Sequence, residues 1–353
     1  MKRSSINPSF KCELDYFHSP HLSQIYDGFD KLRKNGIINL IVKPTIGNSV
    51  KPILKVRINN KYDVIYDTLD GLNWIEASIE DNLDYFKNNI KADFYFKRSF
   101  NEDVFRNAPE NCKIFPLGLN YSIACESNFP MSLQQKFKEI LKNSFLISKY
   151  YGKLSFRSSD FESKPYLHKK SKILFLTRLY NPDDVSLEHS KIEREDINRN
   201  RIDYIKTCKK EFSNNFIGGL EADNFSKRHQ KNLVLPTSLT KKEVFLNTVK
   251  ESTICIATTG LHNSIGWKFG EYVAASRAII SEPLRYKLPG SFESHKNYLE
   301  FNGKDELIEN IRELLKNRCR LFEIMQENFH YYNNYLRPDV LILNTLLRVI
   351  EDE

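Results

Sequence analysis

Along most of this chain, short apolar runs with strand-like spacing alternate with longer stretches whose apolar residues recur at helical spacing. In the first half, a helical stretch from about His21 to Lys34 leads into the β-branched run Ile37–Val42, which reads as a strand. Ile53–Ile58 and Tyr62–Tyr66 alternate as strands do, with Asn59-Asn60 supplying their turn. Ile79–Ile90 reads as a helix, Asp93–Phe96 and Cys112–Pro116 as short strands, and Met131–Tyr150 as a long helix.

The second half is more regular. Strands are predicted at Lys172–Thr177, at Asn215–Ile217 with an end at Gly218-Gly219, weakly at Leu233–Leu235, and at Thr253–Ala257, Ala278–Ser281 and Tyr298–Phe301. Between them lie helices at Asp196–Phe212, Leu239–Lys250, Gly266–Ser276 and Asp305–Lys316, the second of these started by Ser238 or Thr240. An aromatic-rich helix over Arg318–Leu336 is broken by Pro338 and followed by another over Val340–Ile350. Strands alternating with helices predict right-handed crossovers and a parallel sheet covered on both faces.

From about Gly152 to Lys172 the pattern lapses into Ser, Lys, Pro165 and His168. The expected organisation is an α/β domain over residues 1–155, a linker over 156–171, a second α/β domain over 172–316 and C-terminal helices over 317–353. Two Rossmann-like α/β domains in tandem imply a central cleft, with ligands bound beyond the carboxyl ends of the strands.

Composition narrows the class. A chain of 353 residues suits two domains, and 24 Phe with 18 Tyr argue against disorder. No apolar run approaches the ~20 residues of a membrane span. The start, Met1-Lys-Arg-Ser-Ser-Ile-Asn-Pro, has no apolar core behind its basic residues and does not read as a signal peptide. Cys12, Cys112, Cys125, Cys208, Cys255 and Cys319 are scattered without a Cys-x-x-Cys pair, which predicts a reduced, cytoplasmic protein and no metal site. The net charge of +8 permits polyanions or phosphorylated ligands without singling one out.

The segment from Gly260 to Ser281 concentrates the chemistry. It reads as a polar loop bracketed by Gly260 and Gly266, then an amphipathic helix, then a buried strand. Backbone N–H groups and the positive end of the helix dipole favour an anion at such a loop. Thr258, Thr259, His262, Asn263 and Ser264 offer hydrogen bonds to phosphate or sugar oxygens. Lys268 and Glu271 lie one turn apart, the cation suited to a diphosphate and the carboxylate to a vicinal diol. The competing reading is an ordinary β–α connection capped by Ser264, with Glu271 in an ion pair to Lys268 or on the Arg277 side. Arg178 follows the strand Ile173–Thr177 where a guanidinium would meet a phosphate; Arg199 and Arg201 either join it or lie on a solvated face.

On these residues the second half of the chain resembles the nucleotide-sugar glycosyltransferases of the GT-B fold, the "group 1" class with its CgeB-like branch. The run Gly270-Glu-Tyr-Val-Ala-Ala-Ser-Arg-Ala-Ile-Ile280 matches the family's helix with a Glu before small residues and a β-branched strand. The resemblance covers about Lys172 to Lys316 and implies that Glu271 binds the donor ribose and that C-terminal helices pack back on the first domain. Members with a Glu-x7-Glu motif carry a Glu where this chain has Asn263. The implied activity is transfer of a sugar from a nucleotide sugar to a saccharide or lipid-linked saccharide hydroxyl, in cell-surface polysaccharide or glycoconjugate synthesis. No cofactor is implied, and a chain without Asp-x-Asp points to metal-independent transfer.

An inverting transfer needs a base, for which Asp67 or Asp70 and the rivals His18 and His21 are candidates, with capping or turn roles as the alternative. Lys97-Arg98 either meets an acceptor or donor phosphate or caps a helix. Peripheral contact with an anionic membrane is permitted by the charge. Two rival functions are a nucleotide-sugar epimerase and a nucleic-acid-binding protein, the latter because Phe94-Tyr-Phe-Lys-Arg98 interleaves aromatic and basic residues. Acidic residues spread throughout and the lack of a known module argue for no nucleic-acid partner.

Overall fold

The computed structural model describes residues 9–45, 51–125 and 155–351. The helix expected over Met131–Tyr150 lies outside them. The chain divides into two compact units: Met1–Asp160 with Arg285–Ser291 and Asn333–Glu353, and Phe161–Leu284 with Phe292–Tyr332. Each is α/β with its own sheet.

The first unit is built on β1 (Phe10–Tyr16), β2 (Ile38–Pro44), β3 (Ile53–Ile58), β4 (Tyr62–Asp67), β5 (Phe94–Lys97) and β6 (Lys113–Pro116), in the order β2-β1-β3-β4-β5-β6. The sheet is mixed rather than parallel as expected: β3 runs antiparallel to both β1 and β4. The cause is local. Asn59 and Asn60 sit at φ 54° and 57°, the left-handed pair that a tight hairpin requires, and strands joined this way must be antiparallel. β1 was absent from the sequence reading although Phe10, Cys12, Leu14 and Tyr16 alternate inward. Its outward positions, Lys11, Glu13 and Asp15, are all charged, and they mask a short strand as a loop.

Alternation along the strands separates two cores. Val64 and Tyr66 of β4 join one core with the helix α1 (Ser23–Lys34) and the closing helix Pro338–Glu351, while Ile65 joins a second with Trp74, Phe86 and Tyr95. The helix α2 (Ile79–Asn89) supplies Phe86 and starts on Ser78, whose side chain accepts from the Asp81 amide. Phe94, Tyr95 and Phe96 are all buried, so this run is core and not the stacking platform that its aromatic–basic pattern allowed.

The second unit carries β7 (Ile173–Thr177), β8 (Phe216–Leu220), β9 (Ile254–Ala257), β10 (Ala278–Ser281) and β11 (Tyr298–Glu300), all parallel, in the order β11-β10-β9-β7-β8. Its longer helices are α3 (Glu188–Glu211), α4 (Lys242–Glu251), α5 (Trp267–Ala274), α6 (Lys304–Lys316) and α7 (Arg318–Tyr331). Ile173 and Phe175 pack with residues of α3, α6 and α7, while Leu174 and Leu176 point to the opposite face. Gly218 and Gly219 lie inside β8 rather than ending it, because a side chain at Gly219 would meet the Leu233 carbonyl oxygen at 2.6 Å. Neither Ser238 nor Thr240 starts α4: a separate turn, Thr237–Thr240, precedes it, and extended Lys241 holds the cap position without a side-chain bond. Among the described residues no helix is long and apolar enough to cross a membrane.

The closing helix meets α1 at Gly28, where an added Cβ would lie 2.2 Å from the Pro338 carbonyl oxygen and 2.5 Å from Ile342 Cγ1. Neither backbone can yield without separating the helices. We predict that Gly28→Ala lowers stability by about 2 kcal/mol despite alanine's better helix propensity, measured as a lower urea midpoint for the first unit.

Candidate functional site at the carboxyl edge of the second sheet

The order β11-β10-β9-β7-β8 reverses direction between β7 and β9, since β8 lies on one side of β7 and the later strands on the other. In an open parallel sheet the loops leaving the strands at such a reversal diverge and leave a crevice. Here these loops are Arg178–Tyr180 after β7 and Thr258–Gly266 after β9. Arg201 from α3 joins them. Its Nη1 donates to the Arg178 carbonyl at 2.7 Å, Nη2 to the Thr259 carbonyl at 3.0 Å and Nε to Thr258 Oγ1 at 3.1 Å. The guanidinium is buried, which lowers its proton affinity.

Arg178 itself is exposed, lies over the Tyr180 ring at 5.2 Å and has no ion pair among the described residues. Arg201 and Arg194 face the same ring at 5.0 and 6.0 Å. Asn198 fixes Tyr180 by accepting from its amide at 2.8 Å and donating to its carbonyl at 2.6 Å. Arg199 points elsewhere, paired with Asp196 on the exposed side of α3.

The loop after β9 is set by its own backbone. The Gly260 amide donates to the Ser264 carbonyl at 2.8 Å, and a Cβ at Gly260 would meet Ser264 Oγ at 2.8 Å. Ser264 is buried but does not cap α5; Gly266 holds that position in extended conformation with open space beside it. His262 and Asn263 are exposed and left-handed, at φ 58° and 54°. The His262 amide donates to Glu193 Oε1 at 2.6 Å. On the far side of the loop, Glu282 after β10 accepts from both the amide and the hydroxyl of Thr259 at 2.8 and 2.9 Å.

Helix α5 then supplies the two groups of opposite charge. Lys268 is partly buried and donates to the Leu176 carbonyl at 2.9 Å. Desolvation lowers its pKa to about 8, opposed by the charges of Glu221 and Glu271. Glu271 is 2% exposed. Its Oε1 accepts from Lys242 of α4 at 2.6 Å, while Oε2 is buried with no hydrogen-bond partner among the described residues. The ion pair is therefore with Lys242, and not with Lys268 or on the Arg277 side. Arg277 is buried against the carbonyls of Lys164, Lys250, Ser252 and Ala275. Tyr180, Lys242 and Glu282 had no place in the sequence reading. Tyr180 and Glu282 follow strand ends and were open to discovery that way; Lys242, the first residue of its helix, carried no local signal.

In the first unit the candidates separate into two groups. Asp67 is fully buried and accepts from Trp74 Nε1 at 2.8 Å, the Leu69 amide at 2.8 Å, Lys97 Nζ at 3.1 Å and the Tyr95 hydroxyl. Burial lowers the Lys97 pKa and, with Asp67 beside it, raises that of Tyr95. Asp70 is half-exposed and pairs with Arg98 at 2.8 Å, so neither member of Lys97-Arg98 caps a helix. His21 is partly buried, which lowers its pKa; Asp70 opposes that shift and Arg98 adds to it, so these three groups share one electrostatic neighbourhood. His18 is exposed.

No family model matches the chain, and no curated protein does. Solved structures do. The chain is similar to Anabaena HepE in complex with UDP-glucose, at 12% identity over 98% of this chain and 100% of that one, with a TM-score of 0.48. It is similar to WaaG, a glycosyltransferase involved in lipopolysaccharide biosynthesis, at 11% identity over 75% and 64% of the two chains, with a TM-score of 0.40. It is also similar to the C-terminal domain of a group 1 family glycosyl transferase, LpcC, from Francisella tularensis, at 11% identity over 50% and 96%, with a TM-score of 0.34. Identities this low carry over no substrate.

The Asp67 cluster differs in kind from the Glu271 site, and a substitution separates them. Asp67→Ala leaves Lys97 buried without its counter-ion. We predict a loss of about 3–5 kcal/mol, read as a large drop in melting temperature.

Proposed function

We propose that the chain is a GT-B-type glycosyltransferase that binds a nucleotide-sugar donor at the carboxyl edge of its second sheet and transfers the sugar to a saccharide or lipid-linked saccharide hydroxyl. The observation that carries this reading is the half-satisfied, buried carboxylate of Glu271 one helical turn from a cation. A buried carboxylate oxygen without donors is costly, and a ribose diol supplies two. At Asp67, by contrast, both oxygens accept hydrogen bonds.

The remaining groups fit a leaving diphosphate. Departure of the nucleoside diphosphate from the anomeric carbon builds negative charge on its oxygens. Arg178 and Lys268 would meet that charge as side-chain cations, with the amino end of α5 adding its dipole. Arg201 would act indirectly, by holding the loops that carry Arg178 and Gly260. Asn263 and His262 would offer hydrogen bonds to the sugar from their exposed positions. On the acceptor side we favour His21 as the base, because burial keeps its imidazole neutral near pH 7 and able to take a hydroxyl proton.

Thermal shift with UDP, GDP, dTDP and CMP and their sugars tests the donor site, because a ligand stabilises the fold in proportion to its affinity. One nucleotide should raise the melting temperature of the parent, and Glu271→Ala should abolish that rise while keeping the parent's circular dichroism. A Glu271→Ala protein that binds as tightly as the parent removes the ribose assignment.

A pH titration tests the cation. Below about pH 8 Lys268 is charged in the free protein; above it, binding an anion requires uptake of a proton. Affinity for a nucleoside diphosphate should therefore fall as pH rises from 7 to 9.5, by up to about tenfold per unit above the lysine's pKa. Lys268→Arg should flatten that fall when followed by calorimetry.

A further inference from the structure

The amino edge of the second sheet, opposite the candidate site, gathers charge of one sign. Helices α3, α4 and α6 end there, residues 168–172 lead into β7 there, and α7 starts there. Specific bonds join these pieces. Arg318 Nη2 donates to the His168 carbonyl at 3.1 Å, the His168 ring bonds the Lys250 carbonyl at 3.1 Å, and an Arg312–Glu211 pair at 2.6 Å ties α6 to α3. Lys169, Lys170, Lys210, Lys316 and Arg318 are exposed and Lys209 is partly buried, and none of them has an ion pair among the described residues. The neighbouring acids are committed elsewhere: Glu211 to Arg312, Glu251 to Lys172 at 2.7 Å and Glu323 to Arg320 at 3.3 Å. Exposed Glu313 is too little to balance the rest.

Helix chemistry accounts for part of this charge. A lysine in the last turn offsets the negative end of the helix dipole, which explains Lys209 and Lys210 on α3 and Lys316 on α6. It does not explain Lys169 and Lys170, which precede a strand. It opposes Arg318, which stands at the first position of α7, where the dipole disfavours a cation. Beside these residues Tyr166 is 60% exposed, its ring edge-on to that of His168 at 4.8 Å.

We propose that this edge docks on an anionic lipid bilayer, with Lys169, Lys170 and Arg318 meeting phosphate headgroups and Tyr166 entering the interface. Clustered cations are drawn to the negative surface potential of such a bilayer. A tyrosine at the boundary keeps its ring among apolar groups and its hydroxyl in water. A single-stranded nucleic acid would need successive aromatic faces for its bases, and one tyrosine provides one. The two edges of a parallel sheet lie at opposite ends of its strands, so docking here leaves the carboxyl edge clear of the bilayer. The proposal stands independently of the donor assignment.

The test is co-sedimentation of the full chain with vesicles of phosphatidylcholine, alone or mixed with phosphatidylglycerol. The patch variant carries Lys169→Glu, Lys170→Glu and Arg318→Glu, and a milder one carries Lys169→Gln, Lys170→Gln and Arg318→Gln. A control carries Lys55→Glu, Lys87→Glu and Lys91→Glu, exposed lysines of the first unit, and matches the patch variant's change in net charge. Melting curves check that each protein is folded. The parent should bind the anionic vesicles at low salt, leave them as salt shortens the Debye length, and ignore phosphatidylcholine alone. Both patch variants should bind more weakly by roughly tenfold or more, while the control stays within about threefold of the parent. Tyr166→Ser should weaken binding without altering its salt dependence. The proposal is overturned if the parent does not distinguish the two vesicles, if the patch variants bind as the parent does, or if the control loses as much as they do. Binding of a single-stranded oligonucleotide through the same residues, with no binding to vesicles, makes the partner a nucleic acid and overturns it as well. Thermal shift with nucleotides reports the donor site separately, so the two readings fail independently.

Discussion

The buried guanidinium of Arg201 is the constraint on which the second unit's edge depends. Two loops that diverge from a reversal in strand order have no backbone ladder to join them, and their carbonyls must find donors elsewhere. One planar side chain with several N–H groups bonds the carbonyls of Arg178 and Thr259 and the Thr258 hydroxyl together. Arginine suits this because its donors are fixed in a plane and it stays charged even when burial opposes the charge. The consequence lies in what the clamp releases. With Arg201 committed to the backbone, Arg178 is left exposed on Tyr180 and Lys268 is left next to a single carbonyl, so two cations at this edge have no acidic partner within ion-pair distance among the described residues.

Two buried carboxylates differ in how far their oxygens are satisfied. Asp67 in the first unit receives Trp74, Tyr95, Lys97 and the Leu69 amide. Nothing remains for a ligand to add, and any ligand would have to break a bond to reach it. Glu271 is as deeply buried yet receives one donor. The same burial penalty is thus offset in full at Asp67 and in part at Glu271.

Much of the frame was legible because it follows from spacing. The hairpin at Asn59-Asn60, the strands β7, β9 and β10, and the helix carrying Glu271 all stand where periodicity and turn chemistry put them. β1 was hidden by its charged outward face, and the antiparallel β3 broke the parallel pattern through two asparagines. The candidate residues were legible as types but not as partners. Glu271 was found by its setting in an apolar helix, whereas Lys242 lies 29 residues away and meets it only through the packing of α4 against α5. Arg201 was open to a phosphate or to a solvated face, because sequence shows charge and hides hydrogen bonds to backbone. Phe94-Tyr-Phe looked like a stacking surface for the same reason, since burial is a property of the folded sheet.

The loop after β9 shows sequence and backbone agreeing at Asn263. Where members with the Glu-x7-Glu motif carry a carboxylate, this chain has Asn263, and its backbone is left-handed at φ 54°. Asparagine is among the few residues that take this conformation at low cost, whereas a glutamate there would add strain to a loop already holding His262 left-handed beside it. The His262 amide is occupied by Glu193, so the turn is fixed from outside by α3 and not by a ligand. A loop of this shape presents the amide and carbonyl of an asparagine side chain in place of a charge. The edge thus sets Glu193 and Glu282 on the backbone of this loop and Glu271 one turn inside the helix, while Arg178 and Lys268 stand as its cations without an acidic partner within ion-pair distance among the described residues.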